Sequence, residues 1–334
     1  MSNLSIIIVN YNSAHLIIDC LQSIYRCNNH NFFEISIVDN ASKDNSKELI
    51  CQKFTGVKWI DMGYNAGFAR ANNSGMKIAQ SDVFLLLNPD TIAIDKSIEL
   101  CYQRLINSNY VAAGVQLLNH DNSLQTSGSF FAKGGLNHLL PLPFWGRIIR
   151  WLGYRLKSKV PGVIKAREVE EVDWINGAFL MVKKTVIEKA GFFDEDFFLY
   201  AEEIEWCSRL RKYGPLCIYG DLHFIHLQGE TANEAFASSG KNYFNFYDRK
   251  GKQIMLSNFV RIRKQFGAGW FLIHLFFYLI EIPFFFGLVI LHKIAAGKGR
   301  FNFYQFKGYV KNLMYLLTKS GTIITNKPHF YKAL

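Results

Sequence analysis

Along the first hundred residues, short apolar runs alternate with stretches in which apolar positions recur at helical spacing. Leu4 to Val9 reads as a strand buried on both faces, and Asn10-Tyr11-Asn12 follows it as a turn. Ser13 is a fair N-cap for a helix through Arg26, in which Leu16, Ile17, Cys20, Leu21 and Ile24 keep helical spacing. Phe33 to Val38 predicts the second strand, which ends in Asp39-Asn40. A polar loop then leads into a helix from Asn45 or Ser46 to about Lys53. Val57 to Ile60 predicts a third strand, Asn65 to Gly75 opens a helix at about Phe68, and Phe84 to Leu87 is a fourth, wholly apolar strand. This β-α-β-α-β-α-β order predicts a doubly wound, mostly parallel α/β sheet with right-handed crossovers.

Pro89 stops the Phe84 strand, because it has no N–H for the ladder, and Asp90 is presented just past the strand end. In open α/β sheets that edge is where ligands sit. A carboxylate there, beside the Asn88 carbonyl and the Thr91 hydroxyl, can hold a hard divalent cation; Asn-Pro-Asp is equally good turn chemistry. Tyr11, Asp39, Asn65 and Arg70 also fall at or after strand ends. Asp39 can accept from a base or ribose, Tyr11 can stack on a base, and Arg70 can meet phosphate oxygens. Against these stand a turn or cap role for Asp39 and simple packing for Tyr11, while Gly67 reads first as backbone geometry. No GxGxxG follows the first strand and no GxxxxGK[ST] occurs, so neither a dinucleotide unit nor a P-loop is present.

Beyond the fourth strand the pattern predicts a helix over Asp95–Asn107 and a strand over Val111–Gln116. A less regular stretch carries Leu140 to Lys157, where Trp145, Ile148, Trp151 and Leu152 interleave with Arg147, Arg150 and Arg155. That mixture suits an interfacial amphipathic helix, or else an ordinary surface helix. Val172 to Met181, which includes Trp174, Asn176 and Gly177, is a turn into a strand near the site. A helix then starts at about Glu202, with Glu202 and Glu203 at its N-terminus, and a strand is expected over Leu216–Tyr219.

The 334 residues carry 29 Phe, 16 Tyr and a formal charge of +11, which points to an anionic partner. The basic residues lie among aromatics in the C-terminal half, so a phosphorylated substrate and an anionic membrane surface are favoured over nucleic acid. Six scattered cysteines without a CxxC pair suit reduced thiols, and Met1 to Asn10 lacks the features of a cleavable signal. The catalytic part is therefore expected in the cytosol, on the cytoplasmic face of the plasma (inner) membrane.

The motifs SIIIVNYN, IVDNASKDNS, NAGFARANNSG and LLLNPDT, in this order, resemble the N-terminal half of the family-two glycosyltransferases. The likeness is greatest to the rhamnosyltransferase-like branch that builds bacterial surface polysaccharides such as O-antigen. The resemblance implies a GT-A fold, a nucleotide-diphospho-sugar donor, Mg2+ or Mn2+, and inversion at the anomeric carbon. It implies that Asp39 contacts the base and Asp90 the metal, within a donor set of Tyr11, Asp39, Asn65, Gly67, Arg70, Asn88 and Asp90. The usual Asp-x-Asp stands here as Asn88-Pro89-Asp90, leaving one carboxylate. The family's Glu-Asp-x-Asp block falls on Glu202, Glu203 and Glu205, which carries the general base to Glu203, with Glu202 beside it and Glu205 on the acceptor side. The His-x-x-Gly-x-Ser motif falls on His226 to Thr231 and makes His226 a candidate for the metal or diphosphate, with His223 the runner-up. By branch likeness the donor is deoxythymidine-diphosphate-rhamnose and the acceptor a lipid-linked saccharide. A UDP-sugar donor or a non-catalytic membrane-bound scaffold with the same fold are the rivals.

Ser238 to Phe266 reads as a basic helix. Trp270 to Leu291 is apolar enough to span a bilayer but carries His274, Glu281 and Pro283. A helix pair broken at Pro283 and dipping into one leaflet is expected there, as part of a monotopic platform; a homodimer interface or a helical cap is the alternative. The expected organisation is a nucleotide-sugar half over residues 1–118, an acceptor and base half over 119–235, and a helical membrane-associating extension over 236–334.

Overall fold

The computed structural model describes residues 3–29, 31–156, 161–227, 245–294 and 301–333. The chain clusters into two compact units: Met1–Phe130 with Gly162–Phe198 and Glu202–Thr231, and Phe131–Pro161 with Leu199–Ala201 and Ala232–Leu334. The 131–161 segment thus groups with the C-terminal helices, although it precedes the rest of the sheet in sequence.

The first unit runs β1 (Leu4–Asn10), α1 (Ala14–Cys27), β2 (Phe33–Asp39), α2 (Ser46–Lys53), β3 (Lys58–Asp61), α3 (Gly67–Ile78), β4 (Val83–Leu87), β5 (Thr91–Ala93), α4 (Ser97–Ile106), β6 (Ala112–Leu118) and β7 (Gly128–Ser129). The second unit's α5 (Trp145–Arg155) intervenes. Then come β8 (Gly162–Val163), β9 (Glu170–Val172), β10 (Trp174–Ile175), β11 (Phe179–Lys183), α6 (Lys184–Ala190), α7 (Glu202–Leu210) and β12 (Leu216–His226). The main sheet has the order β3-β2-β1-β4-β11-β6-β12-β5, with β9 on β12. Strands β3, β2, β1 and β4 are parallel, as expected; β11 enters antiparallel between β4 and β6.

Both faces of the sheet are covered, which is why its central strands are apolar throughout. Ile6, Ile8, Ile35, Ile37, Leu85 and Leu87 pack with Ile17, Cys20, Leu21 and Ile24 of α1 and Ile98, Cys101 and Leu105 of α4. On the other face α3 comes so close that a side chain at Gly75 would meet Ile7 and Val38, at 2.6 and 3.1 Å.

Local chemistry moves several boundaries. Asp95 takes a left-handed φ of +51°, so it cannot open the helix expected there, and α4 begins at Ser97. The Ser13 hydroxyl donates to the Tyr11 carbonyl instead of capping α1, while Asn10 Oδ1 accepts from Ser13 N. The largest difference is at β12, expected to stop at Tyr219. A bulge lets it run on to His226: Tyr219 pairs with Val115 and His223 with the next residue of β6, Gln116, so that Gly220, Asp221 and Leu222 are inserted between them. The odd insertion moves the core-facing set from Cys217 and Tyr219 to Leu222 and Phe224. His226 continues that second set. Gly220 is required at the bulge, since a Cβ there would lie 2.1 Å from the Arg167 carbonyl oxygen.

The second unit holds α5, α8 (Arg249–Phe266), α9 (Ala268–Ile294) and α10 (Phe303–Thr325). The expected Ser238 start falls outside the described residues; α8 opens at Arg249, where Asp248 Oδ1 accepts from Gly251 N at 2.8 Å. The expected break at Pro283 does not occur. Helix α9 is continuous because Phe271, His274, Tyr278, Glu281, Phe285 and Val289 form one buried stripe at intervals of three and four, packed against α8 and α10. Packing on both sides of Pro283 outweighs its missing N–H. Glu281 Oε1 and Oε2 accept from the amides of Phe144 and Trp145, at 2.7 and 3.1 Å, and so cap α5. His274 and Glu281 therefore both sit on the protein-facing stripe of α9. Its other side is apolar and open, with Leu272, Phe276, Phe286, Ile290 and Leu291 all exposed.

Candidate active site

The C-terminal ends of β1, β2 and β4, the start of β11 and the end of β12 meet along one edge of the sheet. Register fixes the first pair: Asn10 at the end of β1 lies opposite Asp39 at the end of β2. Asp39 is buried; its Oδ1 accepts from Asn10 Nδ2 at 2.8 Å and its Oδ2 from Ser42 N at 3.0 Å. Asn10 Nδ2 also reaches Ser42 Oγ, and Asn12 N donates to the same hydroxyl. The two loops are stitched together by positive φ at Asn12 and Ala41, a conformation asparagine tolerates well. Tyr11 rides half-buried on this turn.

Asn40 connects that corner to α3, donating to the Gly67 carbonyl and accepting from Ala66 N. Asn65 Oδ1 accepts from Gly67 N at 3.1 Å. Gly67 has φ +76°, and a Cβ there would lie 2.1 Å from the Phe198 carbonyl oxygen, so only glycine fits. Arg70, one turn into α3, is half-buried and donates from Nε to the Glu195 carbonyl at 2.9 Å. Asn10, Asn40 and Ser42 were not singled out from sequence, although an asparagine ending a strand before a polar loop was the available signal.

At the end of β4, Asn88 N donates to the Ala178 carbonyl at 3.1 Å. The Thr91 hydroxyl, expected as an oxygen ligand, instead donates to the Asn88 carbonyl and lies 3.5 Å from Cys20 Sγ, turned into the core. Asp90 is held by its carbonyl, which accepts from Leu227 N. Its Oδ1 stands 3.5 Å from His226 Nε2, with both side chains almost fully buried. Strand pairing of β5 with β12 puts His226 opposite Thr91, and so beside Asp90. His223 lies elsewhere, its carbonyl accepting from Ser97 Oγ. The rest of the expected histidine motif, residues 228–231, is outside the described residues.

Asn176 and Gly177 precede β11. Asn176 Nδ2 donates to the Thr126 carbonyl and its Oδ1 accepts from Ala178 N, which fixes the turn. Trp174 is half-buried in β10, opposite Ser129. A Cβ at Gly177 would touch Glu203 Cβ and Cγ at 3.6 Å, so the turn that receives Asn88 also adjoins the acidic helix.

In α7 the three acids separate by environment. Glu205 is engaged by Arg209, with contacts of 2.8 to 3.1 Å, and Arg209 also donates to the Ala190 carbonyl. Glu202 is buried and its Oε2 has no hydrogen-bond partner among the described residues. Burial, and then the charge of Glu203, holds its carboxyl well above the usual range, which favours its protonated form. Glu203 is the more exposed of the pair. Tyr200 and Ala201, just before α7, carry φ of +71° and +67°, a costly conformation for two consecutive non-glycine residues.

A mixed sheet of this order, with aspartate and asparagine along its C-terminal edge, is the frame of a GT-A glycosyltransferase. It superposes on the mannosyltransferase PcManGT of Pyrobaculum calidifontis with a TM-score of 0.54 and 13% identity, over 97% of this chain and 88% of that one. Residues 5–156 match the family model described as glycosyl transferase family 2. Residues 5–156 are thus similar to a family-two glycosyltransferase domain, and proteins named as rhamnosyltransferases are among the relatives. The chain is 29% identical to the low-salt glycan biosynthesis hexosyltransferase Agl10 of Haloferax volcanii, over 64% of this chain and 62% of that protein's length. It is 26% identical to the N-acetylglucosaminyl-diphospho-decaprenol L-rhamnosyltransferase of Mycobacterium tuberculosis, over 64% of this chain and 73% of that protein. It is also 26% identical to the rhamnosyltransferase WbbL of Escherichia coli, over 78% and 98%.

Proposed function

We propose that this glycosyltransferase moves a deoxyhexose, rhamnose from deoxythymidine-diphosphate-rhamnose, to a hydroxyl of a lipid-linked saccharide, with inversion at the anomeric carbon. The names of the Mycobacterium tuberculosis and Escherichia coli relatives support the sugar, and the former's name supports a polyprenyl-diphosphate acceptor. One observation carries the reading: the Gly177–Ala178 turn adjoins Glu203 on one side and receives Asn88 N, two residues before Asp90, on the other. A base and an anion-handling corner on one edge are what glycosyl transfer requires.

In the step, the acceptor oxygen bonds to the anomeric carbon as the bond from that carbon to the diphosphate oxygen breaks. The hydroxyl proton passes to Glu203, and the nucleoside diphosphate leaves with its electron pair. Asp39, Asn10 and Tyr11 bind the nucleoside, and Arg70 meets phosphate oxygens once donor is present. Burial favours the protonated form of Glu202, and Glu203 is the more exposed acid of the pair. Asp90 and His226 fit a divalent cation. One carboxylate and one imidazole suit an ion that takes the rest of its shell from phosphate oxygens and water. Among the described residues no group of three or more His, Cys, Asp or Glu gathers, which agrees with a site completed by substrate. When bound, such a cation neutralises charge on the departing diphosphate.

The helical unit supports association with the cytoplasmic face of a membrane. Helix α9 is long and apolar enough to cross a bilayer. Its open side, together with Trp151, Leu152 and Tyr154 of α5 and Phe303 and Tyr304 of α10, exposes large apolar side chains in a chain of charge +11. The Haloferax volcanii hexosyltransferase favours, as a second reading, a hexose donor on the same site. A donor panel on the full chain separates them, with deoxythymidine-diphosphate-rhamnose, UDP- and GDP-sugars and a polyprenyl-diphospho-N-acetylglucosamine acceptor in anionic vesicles. Rhamnosyl transfer is expected. Transfer from a hexose donor alone selects the second reading, and no donor turnover at all contradicts both.

A further inference from the structure

We infer that Gln125 is a positioning residue that fixes the tautomer of His226, so that the Nε2 lone pair is presented toward Asp90. The inference rests on the reading of Asp90 and His226 as cation ligands. The chemistry starts at the amide of Gln125, which is buried. Its Nε2 lies among three acceptors: the His226 carbonyl at 2.5 Å, Asn119 Oδ1 at 2.7 Å and the Leu118 carbonyl at 3.4 Å. An NH2 group belongs among oxygens and a carbonyl does not, so the amide can face only one way. Its Oε1 is thereby turned on His226 Nδ1, at 3.1 Å. The backbone of Gln125 is tied as well, its N donating to the Leu117 carbonyl and its carbonyl accepting from Gln116 Nε2.

An amide oxygen only accepts, so Nδ1 must carry the proton. In the neutral imidazole Nε2 is then a bare lone pair, 3.5 Å from Asp90 Oδ1. The Nε2 lone pair and Asp90 Oδ1, both buried, then face one space in which a divalent cation can take both as ligands. The other tautomer would place an Nε2–H on the Asp90 carboxylate, filling with a hydrogen bond the position a cation needs. Gln125 forbids that arrangement from the far side of the ring, as partners of metal-binding histidines commonly do.

The test is made on the full chain, labelled with ring-15N histidine and free of metal, at neutral pH. The His226 resonances are assigned by their loss in His226→Asn. In the wild type Nδ1 is expected to be protonated and Nε2 not. An Nε2–H tautomer, or an imidazolium, overturns the proposal without any variant. In Gln125→Leu the proton is expected to move to Nε2, and Mn2+ affinity, read by electron paramagnetic resonance, to fall by about 10- to 100-fold. Gln125→Met, closer in shape, serves if the leucine variant does not fold. An unchanged tautomer and affinity in a folded variant also overturns the proposal. If the wild type shows the expected tautomer yet binds no Mn2+, the positioning stands and the cation reading falls.

Discussion

Each of the two units buries a glutamate and a histidine, and the pairs are used in opposite ways. In the helical unit, both oxygens of Glu281 take backbone amides, and both ring nitrogens of His274 lie on carbonyls, those of Trp270 and Gly135 at 2.8 and 3.0 Å. These groups are spent on holding helices together. In the sheet unit, Glu202 keeps an oxygen without a partner among the described residues, beside a second acid, and His226 faces Asp90 across 3.5 Å. A buried polar group left short of partners costs about 1–3 kcal/mol, so the bare oxygen of Glu202 persists where binding or chemistry uses it. Residue type and burial are alike in the two units. What separates the two glutamates is whether both carboxyl oxygens are already satisfied.

Substitutions that treat the two pairs alike break or sharpen this contrast. Outside the Asp90 and His226 corner the largest effect is expected at Glu203, where Glu203→Gln lowers kcat by at least about 10²-fold with the donor KM near normal. Glu202→Gln, which keeps the shape of a group whose neutral form burial favours, stays within a few-fold. Steady-state kinetics of the two variants decides, and a reversed order moves the base to Glu202. Next is Asp39→Asn. It weakens a carboxylate already shared with Asn10 and Ser42, so the donor KM rises about tenfold, worth about 1.4 kcal/mol, with kcat little changed. A loss confined to kcat contradicts the nucleoside role.

The smallest effect is on stability, at Glu281. Burial pushes its carboxyl from the ordinary 4.5 up to about 7, against the two amide donors. The folded protein therefore holds a proton that the unfolded chain releases. That contribution is fully present below about pH 4.5 and is lost as pH rises through about 7. Thermal unfolding of Glu281→Gln should lose this slope between pH 4.5 and 7 while activity is retained. An unchanged slope would place the titration on another group.

The part of the site legible in sequence is the part made from neighbours. Asp39, Asn65, Gly67 and Asp90 each follow an apolar run and a turn residue, and parallel pairing of β1, β2 and β4 gathers such strand ends automatically. Gln125 and His226 are 101 residues apart, and their meeting depends on the β12 bulge, which in sequence looks like a stop at Gly220-Asp221. Asp95, a good helix-opening residue by type, was taken out of α4 by a positive φ that nothing in its composition announces. Pro283 misled for the converse reason, because local chain chemistry was outweighed by a packed stripe spread along the whole of α9.

The central claim is that the Asp90 and His226 corner serves glycosyl transfer by holding a divalent cation against the donor diphosphate. The most direct measurement is the initial rate of sugar transfer by the full chain, stripped with EDTA and then titrated with Mn2+ or Mg2+, beside Asp90→Asn. The account predicts no measurable transfer after stripping, full recovery on adding metal, and no recovery for a folded Asp90→Asn protein. Transfer that persists in excess chelator, or an Asp90→Asn variant that metal restores to the wild-type rate, would contradict it.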